Sequence, residues 1–179
     1  MRLFVAIGIP DHLRPGLTAL QSGVPGARWV RPENFHLTLC FIGEVDGAMA
    51  HDIDGELLRI QARSFELALG GVGYFGASAS PRALYAAAAP DPALVGLQKK
   101  IEAALIRIGA KPDRKKFTPH VSLARFGARA EAGHHLAQFM ASHSLFKCPP
   151  FPVRHFALYS SMVGKAGSIY RVEAEYPLA

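Results

Sequence analysis

Two four-residue stretches share an arrangement of side chains suited to acid–base chemistry. They are His36-Leu37-Thr38-Leu39 and His120-Val121-Ser122-Leu123, each a histidine, an apolar residue, a hydroxyl residue and a second apolar residue. Because successive side chains of a strand point to opposite faces, each stretch places imidazole and hydroxyl together, away from its apolar groups. Two such strands facing one cleft would offer two imidazoles and two hydroxyls to a phosphate, without a metal.

Acid–base chemistry on a phosphate ester needs a base that takes a proton from the attacking group and an acid that protonates the departing oxygen. Histidine titrates near neutral pH, so one neutral and one protonated imidazole can coexist. The hydroxyls of Thr38 and Ser122 can donate hydrogen bonds to the non-bridging oxygens. Arg125 is the candidate clamp for the phosphate, but strict alternation puts it on the face opposite His120. It reaches the cleft only if the strand ends or bulges first.

The composition is that of a folded globular protein, and its net positive charge bears on the kind of partner. Half of the 179 residues are hydrophobic, 19% are charged, and the formal net charge is +6. A basic chain favours a partner such as RNA, although a charge that only maintains solubility is an equal alternative.

The cysteines and the N-terminus bear on location. Cys40 and Cys148 have no CxxC spacing, which argues against a disulfide scaffold or zinc site and favours a reducing cytosol. The apolar run that stops at Pro10 is short and is predicted to be a first strand rather than a signal peptide. Nothing later approaches the length of a transmembrane helix, so we expect a cytoplasmic protein without membrane contact.

The hydrophobic periodicity predicts alternating strands and helices, hence the α+β class. Strands are predicted at 2–9, 27–30, 35–42, 65–69, 84–89, 118–126, 153–161 and 168–176, and helices at 11–21, 48–62, 93–108 and 130–142. Asp11 is the predicted cap of the first helix. The segment 70–81, rich in Gly, Ala and Ser, is predicted to be a loop or irregular edge, and 162–167 to join a final antiparallel hairpin. The motifs lie almost half the chain apart with helices around each, which indicates two duplicated lobes within one domain, 1–179.

With these motifs and their flanks, the chain resembles the 2H phosphoesterases, in the group of RNA 2′,3′-cyclic phosphodiesterases also called 2′-5′ RNA ligases. The resemblance covers nearly the whole chain. Ser122 stands where many members have threonine, which keeps the hydroxyl. The matching stretches are 2–7, 29–39, 41–43, 71–75, 81–85, 117–125 and 158–161.

This resemblance implies two pseudo-symmetric lobes of antiparallel sheet backed by helices, with the histidines in the cleft between them. It implies hydrolysis of an RNA-terminal 2′,3′-cyclic phosphate, or of a 2′,3′-cyclic nucleotide, to a 2′-phosphate, with weak 2′-5′ ligation in reverse. His36 is then the proton donor to the 3′ oxygen and His120 the proton acceptor, and the family associates an arginine at position 125 with the phosphate. No metal or cofactor is implied, and we expect a monomer.

Other functions are compatible with the same residues. The alternatives are another 2H activity, such as cleavage of 2′-5′ oligoadenylates or cyclic ADP-ribose derivatives, a non-catalytic RNA-binding module, and a structural protein that buries both motifs.

Several further residues have a structural and a functional interpretation. The aromatic side chains of Trp29, Phe41, Phe117 and Tyr159 can stack on bases, but core packing is favoured for each. Cys40 falls on the Thr38 face by alternation and is more typical of a small core residue than of a catalytic thiol.

Two motif matches are set aside. The GxGxxG match at 71–76 lacks the helix that a dinucleotide site needs. His134 and His135 lack partners at metal-ligand spacing and are predicted to lie on a solvated helix face.

Overall fold

A mixed arrangement of ten strands and four helices builds the protein, in a computed structural model that describes residues 1–165 and 167–179. Ala166, in the predicted turn of the last hairpin, lies outside the described residues. The strands are β1 Arg2–Gly8, β2 Arg28–Trp29, β3 His36–Glu44, β4 Phe65–Leu67, β5 Leu69–Ala77, β6 Ser80–Ala88, β7 His120–Arg125, β8 Phe151–Val153, β9 His155–Gly164 and β10 Gly167–Pro177. The helices are α1 Arg14–Thr18, α2 Gly47–Leu58, α3 Pro92–Arg107 and α4 Gly133–Ser142.

The main sheet consists of two antiparallel halves. Its order is β10-β9-β1-β3-β7-β6-β5, with β2 also paired to β7, while β4 and β8 form a separate small sheet. The two halves meet at their motif strands in the middle of the sheet, where β3 and β7 pair at Leu37 and Val121. This arrangement confirms the predicted α+β class and the two lobes of antiparallel sheet.

One continuous apolar core lies on the face of the sheet away from the motif histidines. Leu37 and Val121 are fully buried and belong to the same cluster as Leu105 of α3 and Leu136 of α4. Side-chain oxygens cap the two longest helices, since Asp46 accepts from the Met49 amide and Asp91 accepts from the first amides of α3. Among the described residues, no helix is both long and apolar enough to cross a membrane.

The first helix is shorter than the predicted segment 11–21. A 3₁₀ turn occupies Asp11–Leu13, and the α-helix that follows ends at Thr18. Asp11 does not cap this helix with its side chain, because its carboxylate pairs with the Arg14 guanidinium at 3.1 Å. Pro15 lies in the first turn, where its missing N–H costs little.

Of the two alternatives predicted for the glycine-rich segment 70–81, the irregular edge is confirmed and the loop is not. The segment forms an edge strand with two register shifts, followed by the start of β6. β5 pairs with β6 from Leu69 to Ala77, with register shifts near Gly71 and Gly76. Glycine is required at Gly73 because a Cβ there would lie 2.4 Å from the ring of Tyr85. The composition that resembles a loop thus makes room for an aromatic side chain on the neighbouring strand.

Candidate active site

The two motif strands bring their polar side chains to one face of the sheet. His36 and Thr38 are half-buried while Leu37 is buried, and the second motif has the same alternation. Leu37 pairs with Val121 in antiparallel register. Continuing this register by one residue each way sets each histidine across from the hydroxyl of the other motif. The four side chains predicted to act together therefore share one surface.

Each imidazole is oriented by a backbone carbonyl two residues upstream. The Nδ1 atom of His36 lies 2.6 Å from the Asn34 oxygen, and that of His120 lies 2.6 Å from the Thr118 oxygen. A carbonyl only accepts, so Nδ1 carries the proton in both rings. This leaves Nε2 of each neutral imidazole as the atom that can take up a proton.

Aromatic rings surround both imidazoles. Around His36, the ring centroids of Phe4, Tyr159 and Tyr170 lie 5.0, 6.1 and 5.2 Å away. Phe75 and Tyr85 stand at 4.9 and 5.1 Å from the ring of His120. These apolar neighbours hold the rings in place and reduce their hydration.

This environment favours the neutral form of both histidines. Burial lowers the pKa of His36 to about 4; its bond to Asn34 acts against this change, and the charges of Arg125 and His120 add to it. The pKa of His120 is lowered by burial and by the Arg125 charge, against its bond to Thr118. The three groups thus share one electrostatic neighbourhood, in which an anion would favour protonation.

A bulge at the last residue of each motif changes which side chains reach this surface. In β7, Leu84 pairs with Ala124 and Tyr85 with Ser122, so Leu123 is passed over. Leu123 and Ala124 are consecutively buried, and Arg125 lines a cavity together with His36. Strict alternation would turn Arg125 away from His120, and this bulge instead lets Arg125 reach the cleft.

The same bulge occurs in β3, where Val5 pairs with Cys40 and Ala6 with Thr38. Cys40 is buried as the favoured interpretation predicted, and burial raises the pKa of its thiol to about 12. Phe41 corresponds to Arg125 and lines the same cavity with 45% of its surface exposed, so core packing was the wrong prediction for this ring.

Gln21 holds the bulge of β7. Its Nε2 atom donates to the Leu123 oxygen at 3.0 Å and to the Val30 oxygen at 2.7 Å, and the Val30 amide also donates to Leu123. The Leu123 carbonyl at the bulge thus accepts two hydrogen bonds, and Gln21 ties β7 to the segment that contains Val30. A glutamine about a hundred residues away in sequence carries no signal that would reveal this contact.

The remaining candidates lie elsewhere or play supporting roles. Trp29 and Phe117 pack against the core, and Tyr159 stacks on Phe4 at 5.1 Å. His134 and His135 are exposed on α4 as predicted. Within the described part of the chain, no three His, Cys, Asp or Glu side chains converge as metal ligands.

Comparison with known proteins identifies the family. The family model for LigT-like phosphoesterases matches residues 7–85 and 87–170. An RNA 2′,3′-cyclic phosphodiesterase of Archaeoglobus fulgidus is 31% identical over 96% of this chain and 97% of its own length. One of Thermotoga maritima is 30% identical over 96% of this chain and 92% of its own.

Solved structures of other proteins have the same fold over nearly the whole chain. A structure from Thermus thermophilus superposes with a TM-score of 0.83 at 27% identity, over 99% of this chain and 97% of that one. E. coli LigT, solved with 3′-AMP, superposes with a TM-score of 0.80 at 25% identity and the same coverage. This protein therefore belongs to the LigT-like phosphoesterase family, within the 2H phosphoesterase superfamily.

Proposed function

We propose that this protein hydrolyses the 2′,3′-cyclic phosphate at the end of an RNA, or in a cyclic nucleotide, to a 2′-phosphate. The observation that carries the proposal is the matched pair of imidazoles, each with Nδ1 bonded to a carbonyl at 2.6 Å on strands that pair beside them. Relatives of about 30% identity are named RNA 2′,3′-cyclic phosphodiesterases. Residues 1–179 act as one bilobal domain, and a monomer suffices because both histidines come from one chain.

The chemistry assigns one proton transfer to each histidine. Nε2 of neutral His120 takes a proton from water as the water oxygen bonds to phosphorus. The bond from phosphorus to the 3′ oxygen breaks, and protonated His36 supplies that oxygen with a proton. The products are a 2′-phosphomonoester and a free 3′-hydroxyl, and solvent then returns the histidines to their starting protonation states.

The charge that develops on phosphate needs donors already in place. The hydroxyls of Thr38 and Ser122 are placed to donate to the non-bridging oxygens, and the Arg125 guanidinium pairs with their negative charge. Each step uses groups of the chain and water, so we propose that no metal or cofactor takes part. A ribose 5′-hydroxyl in place of water would form a 2′-5′ linkage, the weak ligation in this proposal.

The position of the cavity supports His36 as the acid. In an in-line displacement, water and the leaving oxygen lie on opposite sides of phosphorus. The leaving oxygen belongs to the ribose, so the nucleoside must lie beside the acid. A cavity of about 550 Å³ opens next to His36 and includes the rings of Phe41 and Tyr170.

One incubation tests the proposal. The protein is given 2′,3′-cyclic AMP in excess EDTA, and the phosphate isomer formed is identified by chromatography. We expect 2′-AMP. A 3′-AMP product would reverse the roles of the two histidines, and activity that EDTA abolishes and a divalent cation restores would contradict metal-free hydrolysis.

The lowered histidine pKa values predict how activity depends on pH. At pH 8 both rings are neutral in the free protein, so the form with one proton on the pair becomes more abundant as the pH falls. We expect kcat/KM for 2′,3′-cyclic AMP to rise between pH 8 and 6.5, by up to about tenfold per unit. A kcat/KM that stays level or falls over this range would contradict the protonation scheme.

Gln21 is predicted to act through Arg125. Gln21→Leu removes both donated bonds while keeping a similar volume, so the β7 bulge should hold Arg125 less firmly. We expect kcat/KM to fall about three- to tenfold, mainly through kcat, because Arg125 acts on charge that develops in the transition state. In an Arg125→Ala background the same substitution should have almost no effect on kcat/KM. Equal effects in both backgrounds would show that Gln21 is not a positioning residue for Arg125.

A further inference from the structure

The cavity beside His36 is more cationic than a single cyclic phosphate requires. Its lining includes two arginines and two lysines, from β1, β7 and the segment between α3 and β7. Among the described residues, His36 lines this cavity and His120 does not. The cationic residues are Arg2, Lys111, Lys115 and Arg125.

Most of this charge is not neutralised by the protein. The Lys115 ammonium lies 3.0 Å from the Asp113 carboxylate. Within residues 1–165 and 167–179, no carboxylate lies within 4.0 Å of the charged groups of Arg2, Lys111 or Arg125. A cyclic phosphate carries one negative charge, which Arg125 can match, so Arg2 and Lys111 remain for another anion.

The backbone places these cations around an exposed aromatic ring. The Asp113 amide donates to the Phe41 oxygen at 2.9 Å, which fixes the segment carrying Lys111 beside β3. Arg2 begins β1, the strand paired with β3. A planar ring between cationic groups is the arrangement that single-stranded nucleic acid fits, since bases stack while phosphates pair with charge.

We propose that this cavity is a subsite for the RNA on the 5′ side of the terminal nucleotide. Arg2 and Lys111 bind the first internucleotide phosphate, and the ring of Phe41 stacks on a base between that phosphate and the cyclic one. The inference rests on the proposed function, because it takes the ribose to lie on the His36 side. It makes the preferred substrate an oligonucleotide rather than a mononucleotide.

A comparison of three substrates tests this subsite. They are 2′,3′-cyclic AMP, the dinucleotide ApA ending in a 2′,3′-cyclic phosphate, and the same dinucleotide with an uncharged methylphosphonate linkage. The test protein carries Arg2→Gln and Lys111→Gln. The matched control carries Arg63→Gln and Lys99→Gln, which remove the same charges from exposed positions outside the cavity.

We expect the wild-type protein to favour the dinucleotide over cyclic AMP by about tenfold or more in kcat/KM, as for one added hydrogen bond to a charged group. The methylphosphonate and the Arg2/Lys111 variant should each remove most of this preference, and the two together should remove no more than either alone. The control variant should keep the preference.

Two results would overturn the subsite alone. One is equal hydrolysis of cyclic AMP and the dinucleotide by the wild-type protein. The other is a double-change experiment in which the methylphosphonate and the Arg2/Lys111 variant lower kcat/KM independently, so that their two fold-losses multiply. A wild-type protein that hydrolyses none of the three substrates would overturn the proposed function and the subsite together.

Discussion

Replacing His36 or His120 by alanine is expected to lower kcat for 2′,3′-cyclic AMP by about a hundredfold or more. Each variant loses one of the two positioned proton transfers, and a single positioned acid or base contributes about 10²–10⁴-fold. Both rings are held in place by a hydrogen bond to a backbone carbonyl and by aromatic neighbours. Removing either ring therefore removes a positioned proton-transfer group. The measurement is the rate of 2′-AMP formation at a fixed pH in EDTA.

A variant that lacks both histidines provides a further test of the same mechanism. Because the two transfers belong to one step, removing both histidines should slow the reaction only slightly more than the worse single variant. His51→Ala, at an exposed position of α2, is the matched control and should retain full activity. Affinity for 2′-AMP should fall only modestly in the single variants. A His36 or His120 variant with more than a third of the wild-type rate would refute the acid–base mechanism and favour a binding module.

Arg125→Ala is expected to cost about a hundredfold in kcat/KM, with a partial loss of about tenfold in Arg125→Lys. The guanidinium supplies charge where the transition state accumulates it, and loss of one such donor costs about 10²–10³-fold. Lysine keeps the charge but cannot make the paired donation of a guanidinium. Arg154→Ala, at an exposed position between β8 and β9, serves as the control.

The pH profile separates this role from a loss of folding. The Arg125 charge lowers the pKa of both His36 and His120, so its removal should raise both values. The rise of kcat/KM with falling pH should therefore begin at a higher pH in Arg125→Ala than in the wild-type protein. A variant with reduced activity but an unshifted profile would place Arg125 outside this electrostatic neighbourhood.

Local patterns were sufficient to predict the elements that carry the site. A histidine and a hydroxyl two residues apart share a face in any extended chain, and both motif strands have the expected burial pattern. The helix at 93–108 was confirmed within one residue at each end because its apolar stripe and its Asp91 cap are both local features. The small core role of Cys40 was also confirmed.

Non-local contacts account for what was left open in the sequence or predicted wrongly from it. The edge strand β5 contains glycines because the Tyr85 ring occupies the space above Gly73, a contact between separate strands. Phe41 is exposed because a bulge in β3 passes over Leu39. The bulge shifts the alternation by one residue, so the Phe41 side chain faces the cleft. Neither the position of the Tyr85 ring nor the register shift in β3 produces a periodic pattern in the sequence from which it could be predicted.

Spacing along the chain was enough to predict the two His-x-hydroxyl strands and their inward and outward faces, because alternation is a local property. The same local stretches also indicated the family. The three-dimensional fold was needed to show that the strands meet at Leu37 and Val121, that matched bulges turn Arg125 and Phe41 into the cleft, and that Arg2 and Lys111 border it. These features depend on which strand pairs with which and in what register. Strand pairing is set by packing of the whole core, so it is absent from any single stretch of residues.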